Sequence, residues 1–91
     1  MTAHDESGSE FLQAFGMRIK LLRTKRRMTQ QQLGEAAGMH RTFIGFLERG
    51  VSGMNVALLP QLAAGLGVSL AEFFDDPDLN QFQGRRDRVD Q

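Results

Sequence analysis

The stretch TQQQLGEAAGMHRTFIGFLERG constrains the fold most, because it contains two short helical patterns separated by only a few residues. Thr29 with Gln32 three positions later has the pattern of a capping box and predicts the start of a helix. Gly38 supplies the left-handed conformation that commonly stops a helix. A second helix is predicted over residues 41 to 49, and Gly50 ends it in the same way. Helices this short need the rest of the chain to cover their apolar sides.

The flanking sequence predicts three more helices and no strand, since it contains neither Tyr nor Trp and no Asn-Gly or Asp-Gly hairpin turn. Ser9 can cap a first helix of about residues 10 to 26. A fourth helix is expected to begin late, around Leu58, or with an irregular turn, because Pro60 has no N–H and fits only a first helical turn. Ser69 begins another capping box and a short fifth helix. We therefore predict an all-α fold, a compact five-helix bundle.

Length and composition fit one small domain: the chain has 91 residues, of which 41% are hydrophobic. We expect residues 9 to 76 to form this domain. Residues 1 to 8 are expected to be a disordered acidic tail and residues 77 to 91 a mobile C-terminal tail, because neither end has dense apolar periodicity. The longest apolar runs are too short to span a membrane.

The sequence offers little for catalysis or metal binding. It has no cysteine and only two histidines, which lie far apart in the chain. It shows no paired carboxylates, phosphate-binding loop or nucleophile with a neighbouring base. We therefore expect no enzyme activity, no metal, no cofactor and no small-molecule ligand.

The zero net charge conceals a strong segregation of charge. Residues 1 to 10 hold three acidic side chains and no Lys or Arg, residues 11 to 50 hold eight basic against two acidic ones, and residues 51 to 91 hold three basic against six acidic ones. This distribution favours one pole that meets a polyanion, although a solvated basic helix face is the alternative. The cluster Lys25, Arg26 and Arg27 is either a solvated helix end or a phosphate contact.

The helix predicted over residues 41 to 49 has two unlike sides at 100° per residue. Its inward side carries Phe43, Ile44, Leu47 and Glu48. A carboxylate on an inward side needs a partner, because burying an unpaired charge costs several kcal/mol. Arg23 lies at the edge of the apolar stripe of the first helix. We predict a partly buried ion pair between Arg23 and Glu48.

The opposite side carries a small hydroxyl, a glycine, an aromatic ring and a guanidinium, from Thr42, Gly45, Phe46 and Arg49. A glycine inside a helix costs roughly 0.5–1 kcal/mol relative to alanine. Its use here indicates close approach by another surface, which is either a neighbouring helix or a ligand.

The whole stretch from Thr29 to Gly50 resembles the Cro/cI-type, or XRE-type, helix-turn-helix transcription regulators. Small Gly34, the glycine turn and the apolar positions carry the resemblance, which covers about residues 11 to 74. The segment MHRTFIGFLERG is also similar to the controller proteins of restriction-modification systems. The resemblance implies a bundle of the lambda-repressor-like DNA-binding type, with the helix-turn-helix at residues 30 to 49 and the third helix in the major groove.

The resemblance also implies roles for individual residues. Arg41 and Thr42, the first two residues of the third helix, are the leading base readers, since arginine can bond guanine O6 and N7 with two hydrogen bonds. The implied base-reading residues are Arg41, Thr42, Gly45 and Phe46. The implied phosphate-binding residues are Gln30, His40, Arg49, Ser52 and Asn55. For His40 a base edge is the alternative contact.

Useful specificity requires two copies, because one recognition helix contacts only a few base pairs. We expect a homodimer on a palindromic operator, with Leu58, Leu70 and Phe74 at the dimer interface. The predicted function is sequence-specific regulation of transcription, as a repressor or controller bound to double-stranded DNA. A cytoplasmic, nucleoid-associated protein of bacterial or phage origin is expected. The alternative is a protein-interaction module, such as an antitoxin that binds a protein partner, which the acidic second half permits.

Overall fold

The structure is a computed structural model that describes residues 2 to 82, with side chains from residue 8 onward. That part of the chain consists of helices without strands, so the all-α prediction is confirmed. A 3-10 turn and a short sixth helix are added to the five helices expected. The elements are α1 (Thr2–Lys25), α2 (Gln30–Ala37), α3 (Arg41–Arg49), a 3-10 turn (Val56–Leu58), α4 (Leu59–Leu66), α5 (Leu70–Phe73) and α6 (Pro77–Asn80).

The capping signals placed the short helices correctly. The Thr29 hydroxyl accepts from the Gln32 backbone N–H at 3.0 Å, and the Gln32 side-chain oxygen accepts from the Thr29 N–H at 2.8 Å. Gly38 and Gly50 both have positive φ, at 72° and 73°, and end α2 and α3. Pro60 lies in the first turn of α4, directly after the 3-10 turn, as its missing N–H predicted.

Helix α1 begins earlier than the sequence predicted. It includes Thr2 to Gly8 and passes through Ser9 without a break, so Ser9 does not cap it. A capping residue alone does not start a helix where the residues before it can also adopt helical geometry.

Packing against the core continues beyond residue 76, the expected end of the domain. Leu79 in α6 is 4% exposed and belongs to the core, and the ring of Phe82 meets that of Phe11 edge-on at 5.6 Å. Few apolar residues in this segment signal such packing in advance. Residues 83 to 91 lie outside the described part, and the mobility expected of both tails stays a prediction.

The core lies between α1 on one side and α2 to α5 on the other, closed by α6. Its fully buried large side chains come from five helices: Ile19, Leu33, Ile44, Leu47, Leu62, Leu66 and Phe73. Helix α1 approaches α3 closely at Gly16, where an added Cβ would collide with the backbone oxygens of Leu47 and Glu48. None of the described helices is both long enough and apolar enough to cross a membrane.

Candidate nucleic-acid interface

The inner side of α3 is the most deeply buried part of the candidate site. Ile44 and Leu47 are inaccessible to solvent, and Glu48 on the same side is 8% exposed. Phe43 packs against the core from its margin. The orientation of α3 is therefore fixed by burial along its whole inner side.

The ion pair predicted between Arg23 and Glu48 is present and joins α1 to α3. Arg23 donates from Nε to Glu48 Oε2 at 2.6 Å and from Nη2 to Oε1 at 3.0 Å. The third donor, Nη1, bonds the backbone oxygen of Met28 at 2.7 Å. The side chains of Arg23 and Glu48 are 11% and 3% exposed. This two-pronged geometry provides the compensation that a buried carboxylate requires.

Gln30 belongs to the same network, which the sequence did not predict. Its Nε2 donates to Glu48 Oε1 at 3.0 Å, so the carboxylate links α1, α2 and α3. The side chain that the resemblance assigned to a phosphate is thus half-buried and bonded to the protein. The amide still has a second N–H that can donate elsewhere.

The outer side of α3 is open to solvent at its first residues. Arg41 and Thr42 are exposed, and Phe46 is 40% exposed. The guanidinium of Arg49 lies over the Phe46 ring at 5.3 Å, within the range of a cation–π contact. The helix thus presents hydrogen-bond donors and one apolar ring on the same surface.

Gly45 differs from its expected place on that surface because it is buried. An added Cβ would have Arg49 Nη1 at 3.4 Å and Gln30 Oε1 at 3.6 Å as its nearest neighbours. These are ends of flexible side chains rather than backbone. Internal packing therefore does not strictly require glycine here, in contrast with Gly16.

His40 caps α3 through its imidazole. Nδ1 accepts the backbone N–H of Thr42 at 3.0 Å, and the backbone of His40 is extended, as an N-cap requires. This bond needs an unprotonated Nδ1, which leaves the proton of the neutral ring on Nε2. The Nε2–H is then the donor that can point away from the helix.

The two phosphate candidates in the loop after α3 are tied to the backbone. The Asn55 side-chain oxygen accepts from the Ala57 N–H at 2.9 Å and caps the 3-10 turn. Its NH₂ group is the part of the side chain that can donate to a phosphate. The Ser52 hydroxyl donates to the Gly53 oxygen at 3.0 Å. Asn55 is exposed and Ser52 is half-buried.

An apolar surface lies around α5 and the 3-10 turn. Leu70 is 43% exposed and Val56 is 72% exposed. Leu58 and Phe74 are half-buried. A cavity of about 350 Å³ opens nearby, lined by Phe11, Leu12, Phe15, Gly53, Met54, Val56, Leu59 and Phe74.

Two contributors were missed by the sequence reasoning. Gln31 accepts a hydrogen bond from Arg41, although ten positions separate them and no spacing rule links them. Gly16 allows the contact of α1 with α3, and its signal was a glycine inside an otherwise apolar helical stripe. No group of three or more potential metal-ligating side chains occurs within the described residues.

A buried inner side, an exposed polar outer side and a tight turn from α2 define α3 as the second helix of a helix-turn-helix unit. Such a helix is the element that enters a DNA groove in proteins of this class. The family model described as helix-turn-helix matches residues 19–73. The chain therefore belongs to the helix-turn-helix family of XRE type.

Relatives of known type agree with this membership. The chain is 32% identical to the control protein C.SmaI of Serratia marcescens over 66 residues, covering 72% of this chain and 79% of that protein. It is 31% identical to the immunity repressor protein of Bacillus phage phi105 over 64 residues, which are 70% of this chain and only 44% of the repressor.

A solved relative is the restriction-modification controller protein C.Esp1396I, as a tetramer in complex with its natural 35 base-pair operator. The match has a TM-score of 0.68 and 31% identity, over 71% of this chain and 86% of that one. The predicted resemblance is thus confirmed. So is the predicted class, a DNA-binding transcription regulator rather than an enzyme.

Proposed function

We propose that this chain binds a palindromic operator as a homodimer and contacts base edges in the major groove with the exposed side of α3. The observation that carries the proposal is the division of α3 into two sides. Its inner side is locked by the contacts of Glu48, while Arg41, Thr42 and Phe46 remain accessible. A rigidly held helix with free donors on its outer side has the form that base recognition needs.

Within this proposal Arg41 contacts a guanine, Thr42 contacts a neighbouring base or phosphate, and Phe46 contacts a thymine methyl group. Gly45 has no side chain, so the middle of the helix can lie close to the DNA. The side chains of Gln30 and Arg49, which lie over Gly45, move aside or contact DNA themselves.

The surrounding residues bind phosphates in this proposal. His40 donates from Nε2 while Nδ1 keeps the helix cap. Arg49 supplies a positive charge, and Asn55 supplies the NH₂ group of its side-chain amide. The Ser52 hydroxyl and the second N–H of the Gln30 amide bind phosphates where the DNA backbone comes close enough. Such contacts orient the protein without carrying sequence information.

The homodimer is proposed because one recognition helix contacts only a few base pairs, and two-fold operators place half-sites about 34 Å apart. We assign Leu58, Leu70 and Phe74 to the contact with the partner copy, since Leu70 is exposed and the other two are half-buried. The operator-bound tetramer of the controller C.Esp1396I supports assembly on DNA. A place beside the nucleoid, in a bacterial cytoplasm, belongs to the same proposal. Sedimentation at micromolar concentration tests the dimer, and a monomer there contradicts it.

The decisive experiment selects a preferred duplex from random-sequence DNA and then compares Arg41→Ala and Arg41→Lys with the wild type. Arg41→Ala is expected to lose about 1–3 kcal/mol of preference for one guanine pair. Arg41→Lys keeps the charge and is expected to preserve affinity for unrelated DNA while losing most of that preference. Failure to enrich any sequence at low salt would reject the proposed function.

A further inference from the structure

Gln31 lies on α2 beside the first residue of the recognition helix. Its side-chain Oε1 accepts a hydrogen bond from Arg41 Nη1 at 3.3 Å. Both side chains are exposed. This bond crosses the turn between α2 and α3, so it connects the position of the guanidinium to the packed helix before it.

Arg41 has a competing acceptor close by, which makes the choice of partner informative. A surface depression of about 510 Å³ is lined by Gln31, Gly34, Glu35, Gly38, Met39, His40 and Arg41. Glu35 lies one helical turn beyond Gln31. Among the described residues, however, the Arg41 side chain bonds the neutral amide and forms no ion pair with that carboxylate.

A neutral acceptor orients a guanidinium without cancelling its charge. A free arginine side chain loses up to about 2 kcal/mol of rotamer entropy when it is ordered on a ligand, and a partner that restricts it beforehand reduces that loss. The bond to Gln31 uses one N–H of Nη1. No described residue accepts from the Nε and Nη2 donors along the other edge. Two parallel donors are what guanine O6 and N7 accept.

We infer that Gln31 is a positioning residue for base recognition: it holds Arg41 so that the Nε and Nη2 edge faces the guanine. The inference rests on the proposed function, in which Arg41 reads a base. Gln31 itself does not contact the base, and it acts only through the guanidinium.

A double-mutant cycle tests this role, using a duplex that the wild-type protein has selected from random-sequence DNA. Gln31→Ala is expected to weaken binding to that duplex about fivefold, the scale of one net hydrogen bond, and to reduce the preference for guanine by the same factor. In the Arg41→Ala background the same substitution is expected to change binding less than about twofold. Because no charge is removed, the salt dependence and the affinity for unrelated DNA stay as in the wild type.

Gln31→Glu separates the acceptor role from other effects of the side chain. It restores an acceptor for Arg41, so the preference for guanine is expected to return. Overall affinity is expected to fall, because the added negative charge lies near the DNA phosphates. Melting temperatures of all variants check that each is folded, which the exposure of Gln31 favours.

Three outcomes overturn the inference. An equal loss for Gln31→Ala in both backgrounds means that Gln31 contacts DNA directly. No loss in the wild-type background means that the bond to Arg41 is irrelevant to recognition. If Gln31→Glu loses as much preference for guanine as Gln31→Ala does, an acceptor at position 31 is not what orients Arg41. If Arg41→Ala itself leaves the preference unchanged, the base-reading part of the proposed function fails instead.

Discussion

The two sides of α3 differ in how far the protein itself buries and hydrogen-bonds their side chains. On the inner side, both oxygens of Glu48 accept hydrogen bonds, from Arg23 and from Gln30. On the outer side, Arg41 bonds only one exposed amide at 3.3 Å among the described residues, and Phe46 is 40% exposed. The nine residues of α3 therefore form an inner side that is held by the core and an outer side whose hydrogen-bond donors are available to a ligand. The difference shows why the stability and the binding of this helix can be changed separately.

The largest loss of stability is expected when the carboxylate on the inner side of α3 is removed. Glu48→Ala leaves the Arg23 guanidinium largely buried without its partner and removes the acceptor of Gln30. Loss of one member of a buried ion pair typically costs about 3–5 kcal/mol of unfolding free energy. Urea denaturation followed by circular dichroism measures the loss.

Glu48→Gln is the matched control, because it keeps the shape and one acceptor oxygen while removing the charge. It is expected to lie between the wild type and Glu48→Ala in stability. If Glu48→Ala unfolds at the wild-type urea concentration, the inner side of α3 does not depend on this network.

A smaller effect is expected where α1 supports the same inner side. Gly16→Ala places a Cβ against the backbone oxygens of Leu47 and Glu48, which cannot move aside as a flexible side chain does. Overpacking of this kind costs about 1–3 kcal/mol. Thermal unfolding measures the cost.

Gly8→Ala is the internal comparison, because apart from the neighbouring backbone of the same helix no atom of the described residues lies within 4 Å of a Cβ added at Gly8. Alanine is the better helix former, so this variant is expected to be as stable as the wild type or more so. Equal melting temperatures for Gly16→Ala and Gly8→Ala would mean that α1 and α3 are free to separate.

The smallest effect on stability is expected on the outer side. Phe46→Ala removes a 40% exposed ring together with its contact to Arg49, and it is expected to lower the unfolding free energy by only about 1 kcal/mol. Affinity for the selected duplex is expected to fall, by less than for Arg41→Ala. Phe43→Ala, on the inner side, is expected to show the reverse, a clear loss of stability. A larger loss of stability for Phe46→Ala than for Phe43→Ala would mean that Phe46, and not Phe43, faces the core.

Local signals predicted most of the helix boundaries near the site. The capping box at Thr29, the stops at Gly38 and Gly50 and the late start before Pro60 all act within a few residues, and each is visible in the sequence. The pairing of Arg23 with Glu48 was also predictable, since a carboxylate on an apolar side demands a cation nearby.

The partners of individual polar side chains were less predictable. Gln30 was expected to be free for a phosphate, yet it bonds Glu48. Gly45 was expected on the open surface, yet the side chains of Gln30 and Arg49 cover it. Both differences arise because long side chains choose partners across helices, and helical periodicity gives only the direction in which each one leaves the backbone.

The class of fold, the two short helices between residues 30 and 49 and the inward side of α3 were predictable without a structure, because capping and apolar periodicity are local properties. Three contacts were visible only once the helices were packed: Glu48 joins three helices, α6 closes the core with Leu79, and Gln31 accepts a hydrogen bond from Arg41. Those contacts depend on the angles and distances between packed helices, which no spacing along the chain encodes.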